Sequence, residues 1–330
     1  MNRAVLSALA LAALPAPAGE RLQSSYPEGS VLVCTQTGGS SMVVDEMHVS
    51  VEDMELPPEA LEDMGMAVPS SKEKTSYRCR DEGLEASDGR PVRVRRVYEE
   101  LRQHSVENGE EKDKTGPIEG LALLLGEEDG EPLAELEDSD SEVEARYLSA
   151  HRMARDTDLL LPDGEVEVGQ EWNLEESELR LFMGLDSAPL LFEPDEGEED
   201  DPFEEMLDKS STLSGQARLV ELEERDGLAC AVIGFTIDIE ASLDDLGALG
   251  LELEEGMQPP SGSIAMHLVC EGKLWHALAE HRPVALEQTL QGTMTMQMVM
   301  RLQMEDDELS MKIDVEGTFD GEATTTWSAE

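Results

Sequence analysis

From Gly292 the chain alternates strictly. Met294, Met296, Met298, Met300, Leu302 and Met304 share one parity, while Thr295, Gln297, Arg301 and Gln303 take most of the other. A period of two is the pattern of a strand with one buried face. Residues 305–308, Glu-Asp-Asp-Glu, read as a turn. Leu309, Met311, Ile313, Val315 and Phe319 then return on one parity, against Ser310, Lys312, Asp314 and Glu316 on the other. The pair of runs predicts a long hairpin.

Earlier segments repeat the pattern. Ile264, Met266, Leu268 and Cys270 alternate with Ala265, His267 and Val269, and Gly272-Lys273 reads as the turn that follows. Ala217 and Leu219, then Val220 and Leu222, change parity once, as a β-bulge requires. Asp226-Gly227 suits a tight hairpin turn because glycine tolerates positive φ, and it leads into the alternating Ile233, Phe235, Ile237 and Ile239. Residues 212–330 are therefore expected to form an antiparallel meander of about five or six strands.

The preceding half is more interrupted. Strands are predicted over 31–36, 42–51, 75–80, 92–101, 121–125 and 142–148, with Pro57-Pro58 breaking the first group and a helical turn over 59–64. Leu179 with Phe182, and Leu181 with Leu185, are spaced by three and four, which predicts a helix over 175–185; Gly184 weighs against its last turn. Ten of the sixteen residues at 193–208 are acidic and none is basic, as expected of a linker. The fold class is mainly β: one or more large antiparallel meander sheets, as a curved half-barrel or two packed subdomains, with one or two short helices. The expected divisions are 1–18, 19–192, 193–211 and 212–330.

Residues 1–18 read as a signal peptide, with Arg3 as the basic start, an apolar run over 4–14, and Ala16-Pro17-Ala18 as the cleavage site. An apolar helix of about eleven residues spans about 16 Å, short of the roughly 30 Å of a bilayer core. Gly19, not cysteine, follows the expected cut, so a lipid-modified N-terminus is not predicted. The chain is expected to be exported, to a periplasm or the cell exterior, and soluble there. Cys34, Cys79, Cys230 and Cys270 remain after cleavage, and an even count in an oxidising compartment favours disulfides. The expected pairs are Cys34–Cys79 and Cys230–Cys270, each within one half of the chain on predicted strands. No C-x-x-C is present, which removes thioredoxin-type redox sites and zinc ribbons.

The chain of 330 residues has 75 acidic residues against 24 basic ones, a formal net charge of -51. Such a field repels nucleic-acid phosphates and anionic membranes and attracts cations or a basic protein partner. No membrane span and no nucleic-acid interaction are expected.

Residues 161–172, Leu-Pro-Asp-Gly-Glu-Val-Glu-Val-Gly-Gln-Glu-Trp, carry an L-P pair followed by V-x-V-G-x-x-W. This resembles a segment of uncharacterised exported bacterial envelope proteins and lipoproteins, in which a β meander follows. The resemblance implies an all-β envelope protein without known activity and brings no catalytic residues. Physically, Pro162 stops what precedes it, Asp163-Gly164 turns, Val166 and Val168 face one way, and Gly169 bends the chain so that Trp172 packs.

Catalytic signatures are missing from the sequence: there is no G-x-S-x-G, H-E-x-x-H, G-x-x-x-x-G-K-[ST] or strand-linked G-x-G-x-x-G. His276 and His281 stand five apart, on opposite faces of a strand, and so do not form a metal pair. Residues 138–142 and 193–208 lack the calcium-loop spacing. The methionine face at Met294, Met296, Met298 and Met300 has three readings: flexible core packing, an apolar ligand surface, or a soft thioether site for Cu(I). Alternate residues on a strand lie roughly 7 Å apart, so a copper site would need help from Met311 or Met266. No catalytic residue, metal ligand or cofactor is assigned. The expected function is a non-enzymatic binding or structural module of the cell envelope or exterior, with an apolar ligand or a basic protein as partner. The alternatives are Cu(I) handling and a hydrolase built on an unrecognised carboxylate pair.

Overall fold

The computed structural model describes residues 19–330, except 53, 58–59, 62–69, 88–89, 108, 129–130, 139, 186–188, 195–205, 208–209, 247–256 and 304–307. The predicted signal peptide, Met304, the turn at 305–307 and most of the acidic segment at 193–208 lie outside the described residues. In chain order the strands are β1 (Glu20–Arg21), β2 (Val31–Val51), β3 (Met54–Glu55), β4 (Ser70–Ser87), β5 (Arg90–Glu107), β6 (Glu110–Thr115), β7 (Ala122–Glu128) and β8 (Glu131–Leu136). They continue as β9 (Glu165–Val166), β10 (Glu171–Leu174), β11 (Ser211–Arg225), β12 (Leu228–Leu243), β13 (Met257–Ala277), β14 (Arg282–Gln303) and β15 (Glu308–Ala329), with helix α1 at Glu176–Phe182.

Thirteen strands form one antiparallel sheet, ordered β10-β11-β12-β13-β14-β15-β2-β4-β5-β7-β8, with β3 beside β2 and β6 beside β5. The sheet does not close into a barrel; its two ends are the short strands β10 and β8, and short edges limit edge-to-edge pairing. The central strands are long. β14 and β15 have 22 residues each, roughly 70 Å at the usual rise.

Period-two patterning gives this sheet two unlike faces. On β12, Ile233, Phe235, Ile237, Ile239 and Ala241 are buried, while Asp238 and Glu240 between them are exposed. Register aligns Ile237 with Cys270 on β13, and Cys270 with Leu290 on β14, so the inward parity runs across strands. Burying each large aliphatic side chain of this kind contributes about 1.5–3 kcal/mol. The inner face carries two cores. The larger spans β11 to β15 and β2, and the smaller lies under Val94, Leu101, Leu123 and Leu125 of β5 and β7.

The inner face is covered by the connection from β8 to β11. This segment contributes 3-10 turns at Ala145–Tyr147 and Asp156–Leu160, then β9, β10 and α1. Leu160 and Leu179 are fully buried against the sheet, and the rings of Phe182 and Phe235 meet edge to face at 5.6 Å. α1 ends in a Schellman arrangement: Gly184, at φ +74, donates to the Leu181 carbonyl, and Leu185 donates to that of Arg180. Gly184 therefore caps the predicted helix at its C-terminus. The N-terminal segment is fastened across the same layer. β1 pairs with β9, the Ser25 N–H donates to the His281 carbonyl at 2.7 Å, and the Ser24 and Tyr26 hydroxyls donate to the Asp158 carboxylate.

Several sequence expectations hold in detail. The 294–302 and 309–319 runs pair as β14 and β15, the bulge falls between Leu219 and Glu221, and Asp226-Gly227 turns with φ of 55° and 80°. Gly169 bends at φ +92°, and Trp172 packs on the main core with its indole N–H donating to the Leu160 carbonyl.

Other expectations are corrected. The division into 19–192 and 212–330 does not separate two sheets, because β15 pairs with β2 along most of its length. The segment 142–148 is not a strand: it carries a 3-10 turn at Ala145–Tyr147, and Tyr147 anchors it in the smaller core. Gly272-Lys273 lies inside β13, not at a turn. Gly272 serves close packing instead, since a Cβ there would stand 2.3 Å from Phe235 Cζ.

Candidate ligand cleft

The gap between the two cores is where the inner face becomes small and polar. Along β15 the inward parity that begins Met311, Ile313, Val315 and Phe319 continues as Gly321, Ala323 and Thr325 before Trp327. On β2 the facing positions are Ser40, Gly38, Gln36 and Cys34. With no bulky side chains in these rows, the sheet and the covering segment enclose a cleft of about 340 Å³. A second lobe of about 200 Å³ adjoins it through Gln36 and Gln288, beside Gly38, Gly321 and Ala323.

The floor of the cleft is a hydrogen-bonded array. Gln36 Oε1 accepts from the Tyr77 hydroxyl at 2.7 Å and from Thr325 Oγ1 at 3.2 Å. Arg96 holds Asp81 in a two-point pair, Nε and Nη2 each 2.8 Å from a carboxylate oxygen. Burial disfavours the charge on Arg96, and the Asp81 carboxylate outweighs it, so the guanidinium holds its proton well above its ordinary range. Tyr77 and Tyr98 meet edge to face at 6.0 Å, and burial raises both phenols.

His151 lies behind Tyr98. Its Nε2–H donates to the Tyr147 carbonyl at 3.1 Å, leaving Nδ1 to accept from the Tyr98 hydroxyl at 3.4 Å. The ring is 1% exposed. Burial, aided by the Arg96 charge, lowers its pKa to about 4. His151 is therefore neutral at pH 7, with its two nitrogens in these structural contacts.

The roof comes from residues 150–157 with Phe182 and Leu191. Arg152 donates to Asp156 Oδ1 at 2.7 Å and to the Leu181 carbonyl at 3.1 Å. Arg155 lies over the Tyr26 ring, its guanidinium carbon 4.1 Å from the centroid. Three residues that line the cleft each carry a buried polar atom without a hydrogen-bond partner among the described residues: Arg155 Nη1, Thr157 Oγ1 and Gln288 Oε1. An unsatisfied buried polar group costs about 1–3 kcal/mol, and the charge on Arg155 is offset by the neighbouring Asp158 carboxylate.

The predicted site residues fall in different places. Cys34 and Cys79 stand directly opposite each other on β2 and β4 and line the cleft. Both are free thiols here; the hydrogen bond between them and burial raise the Cys34 pKa. Cys230 and Cys270 do not meet. Cys230 faces Ala277 and Cys270 faces Ile237, seven positions along the adjacent strand, and they belong to cores on opposite faces. Seven strand residues span roughly 23 Å, far beyond disulfide reach. Burial raises both thiols, Cys270 to about 11.

The methionine face packs in the larger core: Met294 is buried, and Met296, Met298 and Met300 are partly buried against it. Register pairs Met294 with Met266 and Met300 with Met311, at separate places on the sheet, while Met296 and Met298 face Ile264, Gly262, Val315 and Ile313. The two carboxylates lining the cleft, Asp81 and Asp156, are each held by an arginine. No group of three His, Cys, Asp or Glu side chains with metal-binding geometry occurs among the described residues. Side-chain parity along β2 and β15 defines the walls of this region but not the cleft itself. The available signal was the change from large to small residues at one parity after Phe319.

No family model matches this chain, and no curated protein matches it. Among solved structures it is similar to the outer membrane protein OprG from Pseudomonas aeruginosa, with 7% identity, 93% of this chain and 98% of that one covered, and a TM-score of 0.22. OprB of Pseudomonas putida gives 8% identity, coverage of 91% and 94%, and a TM-score of 0.17. The P. putida toluene transporter TodX gives 5%, coverage of 91% and 90%, and 0.11. Similarity at this level carries no argument about function.

Proposed function

We propose that this protein is an exported binding module of the cell envelope or exterior, and that its ligand occupies the cleft between the sheet and the 150–157 segment. The observation that carries this reading is a cavity whose lining residues include Arg155, Thr157 and Gln288, each with a buried polar atom that has no hydrogen-bond partner among the described residues. The surrounding chemistry favours holding over reacting. The Cys34 thiol and the Tyr77 and Tyr98 phenols are raised and protonated, and His151 is neutral and bonded at both nitrogens. None is an activated nucleophile or a poised base. Export rests on the signal-peptide pattern of residues 1–18, and the facing thiols Cys34 and Cys79 are the pair that an oxidising compartment would join.

The test is native mass spectrometry of protein purified from its own host, together with N-terminal sequencing. A mature N-terminus at Gly19 and a small molecule that co-purifies and is lost in an Ala154→Trp variant are expected; Ala154 lines the cleft from an exposed position. A full-length cytoplasmic chain would refute export. A ligand retained unchanged by the tryptophan would refute the location.

A further inference from the structure

We propose that the open edge of β11, residues 220–225, accepts an extended segment of a partner protein as an added β-strand, and that this segment is basic on one face and apolar on the other. The proposal stands apart from the cleft and does not depend on it.

On one side β11 is paired along its whole length, from Ser211 opposite Ala241 to Arg225 opposite Leu228 of β12. On its other side the pairing stops part-way. β10 covers only Gly215 to Arg218, and two backbone bonds extend it by one residue: the Leu219 N–H donates to the Gln170 carbonyl at 3.1 Å, and the Gly169 N–H to the Leu219 carbonyl at 2.7 Å. The chain leaves the edge at Gly169, whose φ of +92° suits glycine and strains other residues. Over 220–225 no backbone group has a partner on that side among the described residues. An open edge of this length spans roughly 20 Å, about one ordinary strand.

Sheets protect their edges with proline, charge or coverage. At the far end of this sheet β8 carries Pro132, and the side strand β6 reads Glu-Glu-Lys-Asp-Lys-Thr, with no apolar residue. The open part of β11 is different. Val220 and Leu222 are 37% and 44% exposed, and Val168, just before the chain turns away, is 56% exposed. Three of the seven large apolar side chains exposed among the described residues are thus gathered at one unpaired edge.

Register fixes what each face of an added strand meets. After the bulge at Val220, Glu221 stands opposite Val232 and Glu223 opposite Cys230, on the outer face. The Trp275 indole N–H donates to the Glu223 carboxylate and anchors it there. Leu222 stands opposite Ala231, which belongs to the inner core. Successive residues of an added strand point to opposite faces. Those on the outer face meet Glu221 and Glu223, which selects lysine or arginine, and those on the inner face meet Leu222, which selects an apolar side chain. Arg225 does not neutralise this pair of glutamates: its guanidinium bonds Glu287 at 3.0 Å and lies over the Trp275 ring, 3.9 Å from the centroid. A second copy of the same edge would set these carboxylates against each other, and like charges across a strand pair are destabilising. The net charge of -51 opposes that pairing further and draws in a basic segment.

The experiment is calorimetric titration of the mature protein with end-blocked six-residue peptides. The probe alternates lysine with valine. One control has glutamate for lysine, a second has the same composition with the lysines grouped, and a third has every backbone amide N-methylated. Saturable one-to-one binding of the probe is expected, with amide hydrogen exchange slowed at 220–225 and each control weaker by about tenfold or more. Glu221→Lys and Leu222→Ser should each weaken the probe by about tenfold, with circular dichroism checking that both variants are folded. Equal binding of the grouped or N-methylated peptide, or binding unchanged in both variants, would reduce the effect to diffuse attraction and overturn the edge. Preferential binding of the glutamate peptide would overturn the basic class. No binding by any peptide would overturn the proposal as a whole. Dimerisation in sedimentation that Leu222→Ser abolishes would give the edge to a second copy instead. The cleft has its own test in the co-purified small molecule, so the two readings fail separately.

Discussion

Lowering the pH from 7.5 to 5 should destabilise the fold through two buried imidazoles. His151 and His276 are each 1% exposed. His276 donates Nε2–H to the Gln23 carbonyl at 3.0 Å, and His151 donates to that of Tyr147. Burial lowers both pKa values to about 4. In the unfolded chain each titrates near its ordinary value of 6.5. Between those values the unfolded state binds protons that the folded state does not. Stability from these groups is therefore complete above pH 6.5 and is lost as the pH falls toward 4. Linkage makes this about 1.4 kcal/mol per pH unit for each ring, so about 2 kcal/mol per ring between pH 7.5 and 5.

Carboxylate protonation works against this loss by relieving self-repulsion in so acidic a chain, so the absolute curve is not the readout. The readout is the stability difference between the wild type and His151→Gln or His276→Gln, from urea unfolding followed by fluorescence of the three tryptophans. The advantage of the wild type should shrink by about 2 kcal/mol over this interval for each variant. Parallel stability curves would show that these rings titrate alike in both states, and the reasoning would fail.

Three other outcomes are expected. Asp81→Asn leaves the Arg96 guanidinium, 14% exposed, without its counter-ion and should cost about 3 kcal/mol in urea unfolding, with Arg96→Met in the same chain restoring most of it; a neutral single variant would contradict a desolvated pair. Oxidation by glutathione disulfide should join Cys34 to Cys79 and leave Cys230 and Cys270 open to alkylation after denaturation; a peptide map with Cys230 bonded to Cys270 would refute the register. Met294→Ala should cost about 2–5 kcal/mol because the side chain is 3% exposed, while Met298→Leu should cost under about 1.5 kcal/mol, since a partly buried packing site tolerates a similar volume; equal and large losses would point to a role for the Met298 sulfur beyond packing.

Alternation along the chain determined that this protein is a β-sheet with one predominantly apolar face, down to the β14–β15 pairing and the bulge after Leu219. That information is local, because side-chain parity and turn chemistry act between neighbours. The same logic misread Gly272 as a turn, since the reason for that glycine is the Phe235 ring on the next strand. It also placed Cys230 with Cys270, because proximity in sequence says nothing about register. Only the tertiary structure brings β15 beside β2 and turns two expected halves into one sheet. The cleft is decided at the same level: Cys34, Tyr77, Arg96, Arg155, Thr157, Gln288 and Trp327 come from distant parts of the chain. Each is unremarkable alone, and none has a spacing that a motif could capture. What makes them a candidate site is that they line one cavity, and that depends on which strands and turns pack together.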